Sequence, residues 1–256
     1  MNDHGHFNKV TDITAGARWR WGDGIRHRAW RNVTMGGVVA LGIAMMASGC
    51  GSKDDATAAG APRAARQGEI QLSKPEFEKI PFLKIVQKRK TTRAFNPKAL
   101  PENIVSNILY AAFGINRPES EKRTAPTAHN GQYVDIYVAT SDGVYVFDAQ
   151  KPSLVPILGT DERSKTGIQE FAATAPLSLV YVVDNEKVID APDDETKLIF
   201  GAVSVGAIAE NVYLYAAATG LVTGVRADIE HKPLRDILKL KKSQKIILAQ
   251  SVGYAE

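Results

Sequence analysis

The segment from 196 to 219 limits the fold most, because apolar side chains surround nearly its whole helical circumference. They include Ile199, Phe200, Val203, Val205, Ile208, Val212, Tyr213, Leu214 and Tyr215. A helix of this kind is either buried in a protein or crosses a membrane. Glu210 and Asn211 lie near its middle, and each is costly in hydrocarbon. We therefore predict one long helix that is buried inside a globular domain.

Shorter apolar patterns predict further helices and strands on both sides of this segment. Alternating Val134, Ile136 and Val138, followed by a Ser-Asp-Gly turn, predict a β-hairpin. Mostly apolar runs at 177–184 and 244–254 predict buried strands, and 221–225 predicts a short strand or loop. Helical spacing predicts four more helices: one that begins at 80–87 and is broken at Asn96-Pro97, and others at 101–113 with Gly114 as its end, at 165–173 and at 233–238.

Charge and cysteine content exclude several classes of function. Residues 1–50 carry six Lys or Arg against three acids, so the other 206 residues hold 26 cations against 25 acids and are nearly neutral. Nucleic-acid binding needs a basic face, which this body lacks. Because Cys50 is the sole cysteine, no disulfide forms within the chain, no Cys/His zinc set is available and no metal site is expected.

The leader resembles a bacterial lipoprotein signal. The apolar run 35–47 is too short for a membrane span but suits a signal peptide, and it follows Arg26, Arg28 and Arg31. Ala47-Ser48-Gly49-Cys50 resembles a lipobox, which implies lipidation at Cys50 and an envelope protein facing the periplasm or exterior. We therefore divide the chain into a leader (1–49), Cys50 with a flexible linker (50–68) and a folded domain (69–256). The alternatives are a core helix with a buried Cys, or a cytoplasmic protein whose true start lies beyond this leader.

A first chemically distinctive segment, 88–93, is basic and hydroxylated. Arg89 and Arg93 are four residues apart and would share a helix face, with Lys90 and Thr91 between them. A fork-shaped guanidinium, a neutral hydroxyl donor and an ammonium suit a phosphate dianion. The alternative is a solvated basic patch at a helix end.

A second distinctive segment, 126–132, is rich in hydroxyl and amide groups. Pro126, Thr127, Ala128 and Asn130 form its core, and the Asn130 amide offers both donors and acceptors to a flat polar ring. Gln132 is expected to brace the loop. The alternative is an ordinary polar loop before a strand.

In this order and spacing, the two segments resemble the FMN-dependent nitroreductase family, most closely its SagB-type dehydrogenase-like branch, from about residue 75 to 254. The resemblance implies an α+β fold with a mainly antiparallel central sheet flanked by helices, and a long central helix at a homodimer interface. It also implies FMN held by Arg89, Lys90, Thr91 and Arg93 at the phosphate, ribityl chain or ring edge, and by 126–130 at the ring.

A third segment, 221–226, resembles the family region whose main-chain N–H groups approach flavin N5. By position this implies contacts from Thr223, Gly224 and Val225, with Gly224 permitting close backbone approach. The alternative is a helix C-cap and loop. Family members often place cations on the phosphate after the last Gly-Tyr; here only Ala255 and Glu256 follow, so we hypothesise that Arg226 compensates.

The resemblance implies an FMN-dependent oxidoreductase that moves hydride through flavin N5 to or from a small-molecule substrate. No side chain is assigned a catalytic role, and His129 is more simply a loop residue. The alternative function is a flavin-binding surface lipoprotein without turnover, and a purely structural lipoprotein is a third. An exported domain would not meet cytoplasmic NAD(P)H, which favours another reductant or substrate dehydrogenation.

Overall fold

The structure, a computed structural model, describes residues 68–256, so Cys50, the leader and nearly all of the predicted linker lie outside the described residues. Five α-helices occur in the described part: α1 (Phe82–Lys88), α2 (Glu102–Phe113), α3 (Phe171–Thr174), α4 (Asp194–Thr219) and α5 (His231–Ile237). Nine strands accompany them: β1 (Ile70–Gln71), β2 (Ile115–Arg117), β3 (Lys122–Arg123), β4 (Val134–Thr140), β5 (Gly143–Asp148), β6 (Ser153–Leu158), β7 (Leu177–Asp184), β8 (Val222–Arg226) and β9 (Gln244–Gly253).

Seven of these strands form one sheet in the order β1-β6-β5-β4-β7-β9-β8, with every neighbouring pair antiparallel. The predicted hairpin is confirmed as β4 and β5, in which Thr140 pairs with Gly143. The two apolar runs are confirmed as β7 and β9, which are adjacent in the sheet. β8 lies at the edge, so one side of its backbone is free to meet segments outside the sheet.

Helices cover both faces of the sheet. α2 and α4 pack together on one face, where the side chains of Ile108, Leu109, Ile208 and Val212 are fully shielded from water. α5 covers part of the other face through Leu234. This explains why β7 is buried along its whole length, and the predicted α+β class is confirmed.

α4 has clear ends. The Asp193 carboxylate accepts a hydrogen bond of 2.7 Å from the Thr196 amide, and Gly220 ends the helix with a left-handed φ of 75°. Within residues 68–256, α4 is also the one helix long and apolar enough to cross a membrane by length and composition. The prediction of burial on every side is wrong for the single chain, because Leu198, Ile199 and Val203 lie exposed, Val203 at 66%.

Two further expectations need correction, and one strand of the sheet was not predicted. α1 ends at Lys88 and Arg89 turns to extended backbone with ψ of 123°, so Arg89 and Arg93 do not share a helix face. The helix predicted at 165–173 is a 3₁₀ turn at Arg163–Thr166 followed by the one-turn α3. Strand β6 was missed; it contains Pro156, which removes one backbone donor from the sheet.

Candidate flavin site

Tyr213 joins two of the three predicted segments near the C-terminal end of α4. Its hydroxyl lies 2.9 Å from the Thr91 Oγ1 and accepts a hydrogen bond of 3.1 Å from the backbone N–H of Val225. The basic segment and β8 are thus brought together on one helix, as the sequence predicted for a common site. Tyr213 itself was not predicted, because a tyrosine in an apolar helix is indistinguishable from core.

The backbone of the basic segment also lies directly against β8. The Thr92 amide donates to the Thr223 carbonyl at 2.9 Å. A Cβ on Gly224 would lie 2.6 Å from the Thr92 carbonyl oxygen, which is closer than real Cβ contacts. Gly224 therefore permits a close backbone approach, and in this structure the approaching group is the chain's own residue 92.

The Thr223 side chain faces away from this junction. It is buried, and its hydroxyl donates to the Ser251 carbonyl at 2.7 Å and accepts from the Gln250 amide at 3.0 Å. That amide also reaches the Ala209 carbonyl of α4 at 3.3 Å. Any contact of Thr223 with a ligand would therefore come from its backbone, while its side chain fixes β8 to β9 and α4.

Positive charge gathers around this junction. The Arg89 guanidinium lies 5.3 Å from the centre of the Tyr213 ring, and its Nε lies 4.0 Å from Glu210 on the exposed side of α4. Lys88 and Lys90 line a cavity of about 360 Å³, together with Tyr213, Ala216, Ala217, Gly220, Leu221, Val222, Thr223 and Ala255. Arg93 is exposed on the same extended segment. This arrangement is a set of exposed donors beside a small apolar cavity.

The loop 126–132 is braced from within and carries unusual backbone angles. His129, Asn130 and Gln132 have φ values of 53°, 54° and 47°. The prediction that Gln132 braces the loop is confirmed: its side chain accepts from Arg123 Nε at 2.9 Å and donates to the Glu121 carbonyl at 3.0 Å. Left-handed conformations in non-glycine residues are concentrated at functional sites.

Pro126 and Asn130 in this loop are exposed, while Thr127 and Ala128 are half-buried. The Thr127 hydroxyl accepts from the Gln132 amide at 3.0 Å, and the Ala128 amide donates to the Tyr133 hydroxyl at 3.1 Å. Internal bonds therefore hold the loop in shape. Its outward-facing amide is that of Asn130.

The loop and the basic segment lie at opposite halves of α4. Tyr133, which follows the loop, bonds through its hydroxyl to the Phe200 carbonyl and the Ser204 hydroxyl. Thr91 instead bonds to Tyr213, 9 to 13 residues further along the same helix. At 1.5 Å per residue, these anchor points are about 14–20 Å apart. Tyr133 and Thr91 therefore bond to α4 at separate points, while the Thr124 carbonyl just before the loop accepts from the Asn211 amide at 3.5 Å.

The hypothesis that Arg226 reaches a phosphate is wrong. Arg226 is only 4% exposed, and its guanidinium donates to Ser251, Thr166 and Ser178 below the sheet edge. Burial lowers its pKa to about 10, because no carboxylate within residues 68–256 lies at ion-pair distance to offset the lost hydration. Arg226 fastens β8 to the loop around residue 166.

Comparison with known proteins agrees with this fold. The model of the nitroreductase family matches residues 86–254. This chain belongs to the nitroreductase family. Membership implies flavin-dependent oxidoreduction, the chemistry for which the basic segment and the loop were singled out.

Two relatives cover most of the family domain. A protein of Methanocaldococcus jannaschii named "putative nitroreductase" is 30% identical over 184 residues, which is 68% of this chain and 91% of the relative. A crystal structure from Ralstonia eutropha JMP134, titled as a "putative nitroreductase", is 34% identical with a TM-score of 0.71 and covers 77% of this chain and 95% of its own.

The nitroreductase fold extends to more distant proteins. One chain of the Escherichia coli microcin synthetase complex McbBCD, solved with truncated pro-MccB17 bound, has a TM-score of 0.57 at 18% identity, covering 72% of this chain and 77% of its own. At that identity the likeness concerns the fold alone.

Proposed function

We propose that this nitroreductase-family protein is an FMN-dependent oxidoreductase whose phosphate site is the junction of Arg89, Lys90, Thr91 and Arg93 with β8. The observation that carries the proposal is that the Tyr213 hydroxyl is hydrogen-bonded both to the Thr91 side chain and to the backbone N–H of Val225. It holds a cationic, hydroxyl-bearing segment and an edge strand together beside a cavity. A phosphate at that place would meet guanidinium, ammonium and hydroxyl donors at once.

We propose further that each flavin site is completed by a second copy of the chain. The exposed face of α4 presents Ile199, Ala202, Val203 and Gly206, which is an apolar and small-residue stripe. If two α4 helices cross antiparallel near Gly206, residue 200 of one copy lies opposite residue 213 of the other. Asn130 of the second copy would then approach the Thr91–Val225 junction that its own chain keeps distant.

In such a site the residues of the chain would have separate tasks. Arg89, Lys90, Thr91 and Arg93 would bind the phosphate, and the loop 126–130 would orient the ring through the Asn130 amide. The backbone of Thr223, Gly224 and Val225 would lie along the ring. Bound FMN would supply the redox chemistry by exchanging hydride with the substrate at N5. Side-chain proton donors are not needed for binding, and we assign none.

Removal of the cations tests the cofactor assignment. We expect Arg89→Ala/Arg93→Ala in the full chain to lose at least about tenfold in FMN affinity, since the loss of even one charged contact costs roughly 1.5–3 kcal/mol. The control Lys151→Ala/Lys245→Ala removes two exposed cations elsewhere and should retain full flavin content. If the first variant keeps its absorbance near 450 nm at the wild-type level, the phosphate site lies elsewhere.

The SagB-type resemblance favours substrate dehydrogenation, and we propose this direction together with a lipid anchor at Cys50. An enzyme outside the cytoplasm would not meet NAD(P)H, so reduction by NADH or NADPH should be slow even at millimolar nucleotide. Rapid reduction at micromolar nucleotide would contradict this location. Flavin that stays oxidised under every donor would instead identify a binding protein without turnover.

The anchor has its own test. Cys50→Ser should shift the protein from the membrane to the soluble fraction of a bacterial host and abolish labelling by a fatty-acid analogue. Cys50→Ser protein that still sediments with membranes would count against lipidation. The flavin content of both forms should be equal, which separates the anchor from the cofactor.

A further inference from the structure

Tyr213 holds a position that neither the sequence motifs nor the family comparison assigns. It is 9% exposed in the penultimate turn of α4, and its single hydroxyl meets two segments that are distant in sequence. Val225 is 12 residues away along the chain and Thr91 is 122 residues away. One oxygen therefore sets the spacing between the predicted phosphate segment and the third segment, 221–226, which is predicted to approach flavin N5.

The direction of these hydrogen bonds follows from the number of donors and acceptors that each hydroxyl group offers. A tyrosine hydroxyl has one proton and can accept as well as donate. One lone pair of Tyr213 is used by the Val225 N–H. When an anion accepts the Thr91 proton, the Thr91 oxygen must receive the Tyr213 proton for their 2.9 Å bond to persist. The bonds then run from Tyr213 to Thr91 and on to the anion.

The ring of Tyr213 supports the same segment. Arg89 lies over it at 5.3 Å, while Glu210, one turn earlier on α4, approaches the same guanidinium at 4.0 Å. The ring contact does not use the hydroxyl. Replacement by Phe therefore deletes the hydroxyl bonds and leaves the Arg89 contact in place.

We propose that Tyr213 is a positioning residue that aims the Thr91 hydroxyl at the flavin phosphate while it holds Val225 in register. This inference rests on the proposed function. Because it acts through Thr91, its effect is expected on the phosphate end of the cofactor. The ring end should feel only the small change at Val225.

Comparison of FMN with riboflavin, which lacks the phosphate, isolates this effect. The full-length protein is stripped of flavin, and both affinities are measured by fluorescence quenching. We expect Tyr213→Phe to lower the ratio of FMN to riboflavin affinity about tenfold, since a hydrogen bond to a charged group is misdirected. Any loss at Val225 affects both ligands and cancels in the ratio.

Tyr215→Phe is the matched control. It removes a hydroxyl from the same helix two residues later, where the Tyr215 ring meets the edge of the Phe77 ring at 6.1 Å between centroids and not the basic segment. The affinity ratio of this variant should stay within about twofold of the wild type. An equal fall in both variants would reveal a general effect of loosening α4 and would overturn the proposal.

Thr91→Val completes the test, because Thr91 is exposed and its replacement should not impair folding. We expect Thr91→Val by itself to lower the ratio of FMN to riboflavin affinity as much as Tyr213→Phe does. The double variant should lower this ratio no further than either single variant. Additive losses, or an unchanged ratio in Tyr213→Phe, would overturn the role of Tyr213 and leave the cofactor assignment intact. A wild type that binds neither flavin would overturn both.

Discussion

The two halves of α4 present the two parts of the site in different ways. At the C-terminal half, Thr91, Tyr213 and Val225 are hydrogen-bonded to one another, and the basic segment is part of the folded chain. At the N-terminal half, the loop 126–132 is braced by its own residues and leaves Asn130 exposed. The first region is a hydrogen-bonded junction of three segments, and the second is a loop held in shape by its own hydrogen bonds, with the Asn130 side chain exposed.

Under the proposed function, this difference indicates how a small domain would divide the task of holding a large cofactor. The junction would bind the phosphate end through contacts that are already made in the folded chain. Three residues of the loop are held in left-handed conformations. We expect this defined shape to serve a ligand that approaches the loop from outside its own chain. The apolar stripe on α4 between the two halves offers the surface for that approach.

The largest expected effect comes from blocking the stripe. A Cβ at Gly206 would meet nothing within 4 Å, so Gly206→Arg should fold normally as a single chain. Its side chain would occupy the space of a second α4. We expect a monomer by light scattering and a loss of roughly hundredfold in FMN affinity, equal to two lost polar contacts.

Gly206→Ala serves as the control for that variant. It keeps the stripe smooth and replaces a helical glycine, so it should preserve the dimer and raise the free energy of unfolding by up to about 1 kcal/mol. A Gly206→Arg protein that stays dimeric with its flavin bound would contradict the proposal that a second copy binds on this stripe of α4 to complete the site.

The second prediction separates stability from cofactor binding at the C-terminal half. Arg226→Ala should lower the free energy of unfolding by roughly 3 kcal/mol, because Thr166, Ser178 and Ser251 lose a buried partner and a cavity opens. Urea titration measures this. The FMN affinity of the folded fraction should change less than about twofold. A tenfold loss of FMN affinity without a loss of stability would show that Arg226 takes part in cofactor binding.

The third prediction compares two glycines. At Gly224 an added Cβ meets the Thr92 carbonyl oxygen at 2.6 Å, and both groups are backbone. Gly224→Ala should therefore push the basic segment off β8, destabilise the fold by roughly 1–3 kcal/mol and weaken FMN binding. Gly206→Ala, in open space, is again the control. If Gly224→Ala is as stable as the wild type, the backbone at Thr92 moves away from the added methyl group without a cost in stability.

Local patterns predicted the framework better than they predicted the site. β4, β5 and β7 follow from alternation and apolar runs, which are properties of neighbouring residues. β6 was missed because its backbone pairs through a register shift where Tyr145 faces Pro156. α1 was extended too far because charges and hydroxyls do not show where a helix turns into extended backbone.

The candidate site residues were chosen by residue type, and residue type does not predict how they divide between the halves of α4. Thr91 and Tyr213 are 122 residues apart, and only the packing of α4 against the basic segment brings them together. The prediction for Arg226 was wrong for a related reason. A lone cation among apolar residues is either exposed or buried with neutral acceptors, and the sequence does not distinguish these outcomes.

The smallest effect is expected within the loop itself, where Asn130 and Gln132 should behave oppositely. Asn130→Gly keeps the left-handed backbone, because glycine adopts φ near 54° without strain, and removes only the exposed amide. We expect unchanged stability and a loss of about tenfold in FMN affinity in the assembled dimer. Gln132→Ala instead breaks the bonds to Arg123 and Glu121, so it should lower the free energy of unfolding by about 1–2 kcal/mol. If Asn130→Gly retains full FMN affinity while Gln132→Ala loses it, the loop acts through its shape and the amide has no contact with the ring.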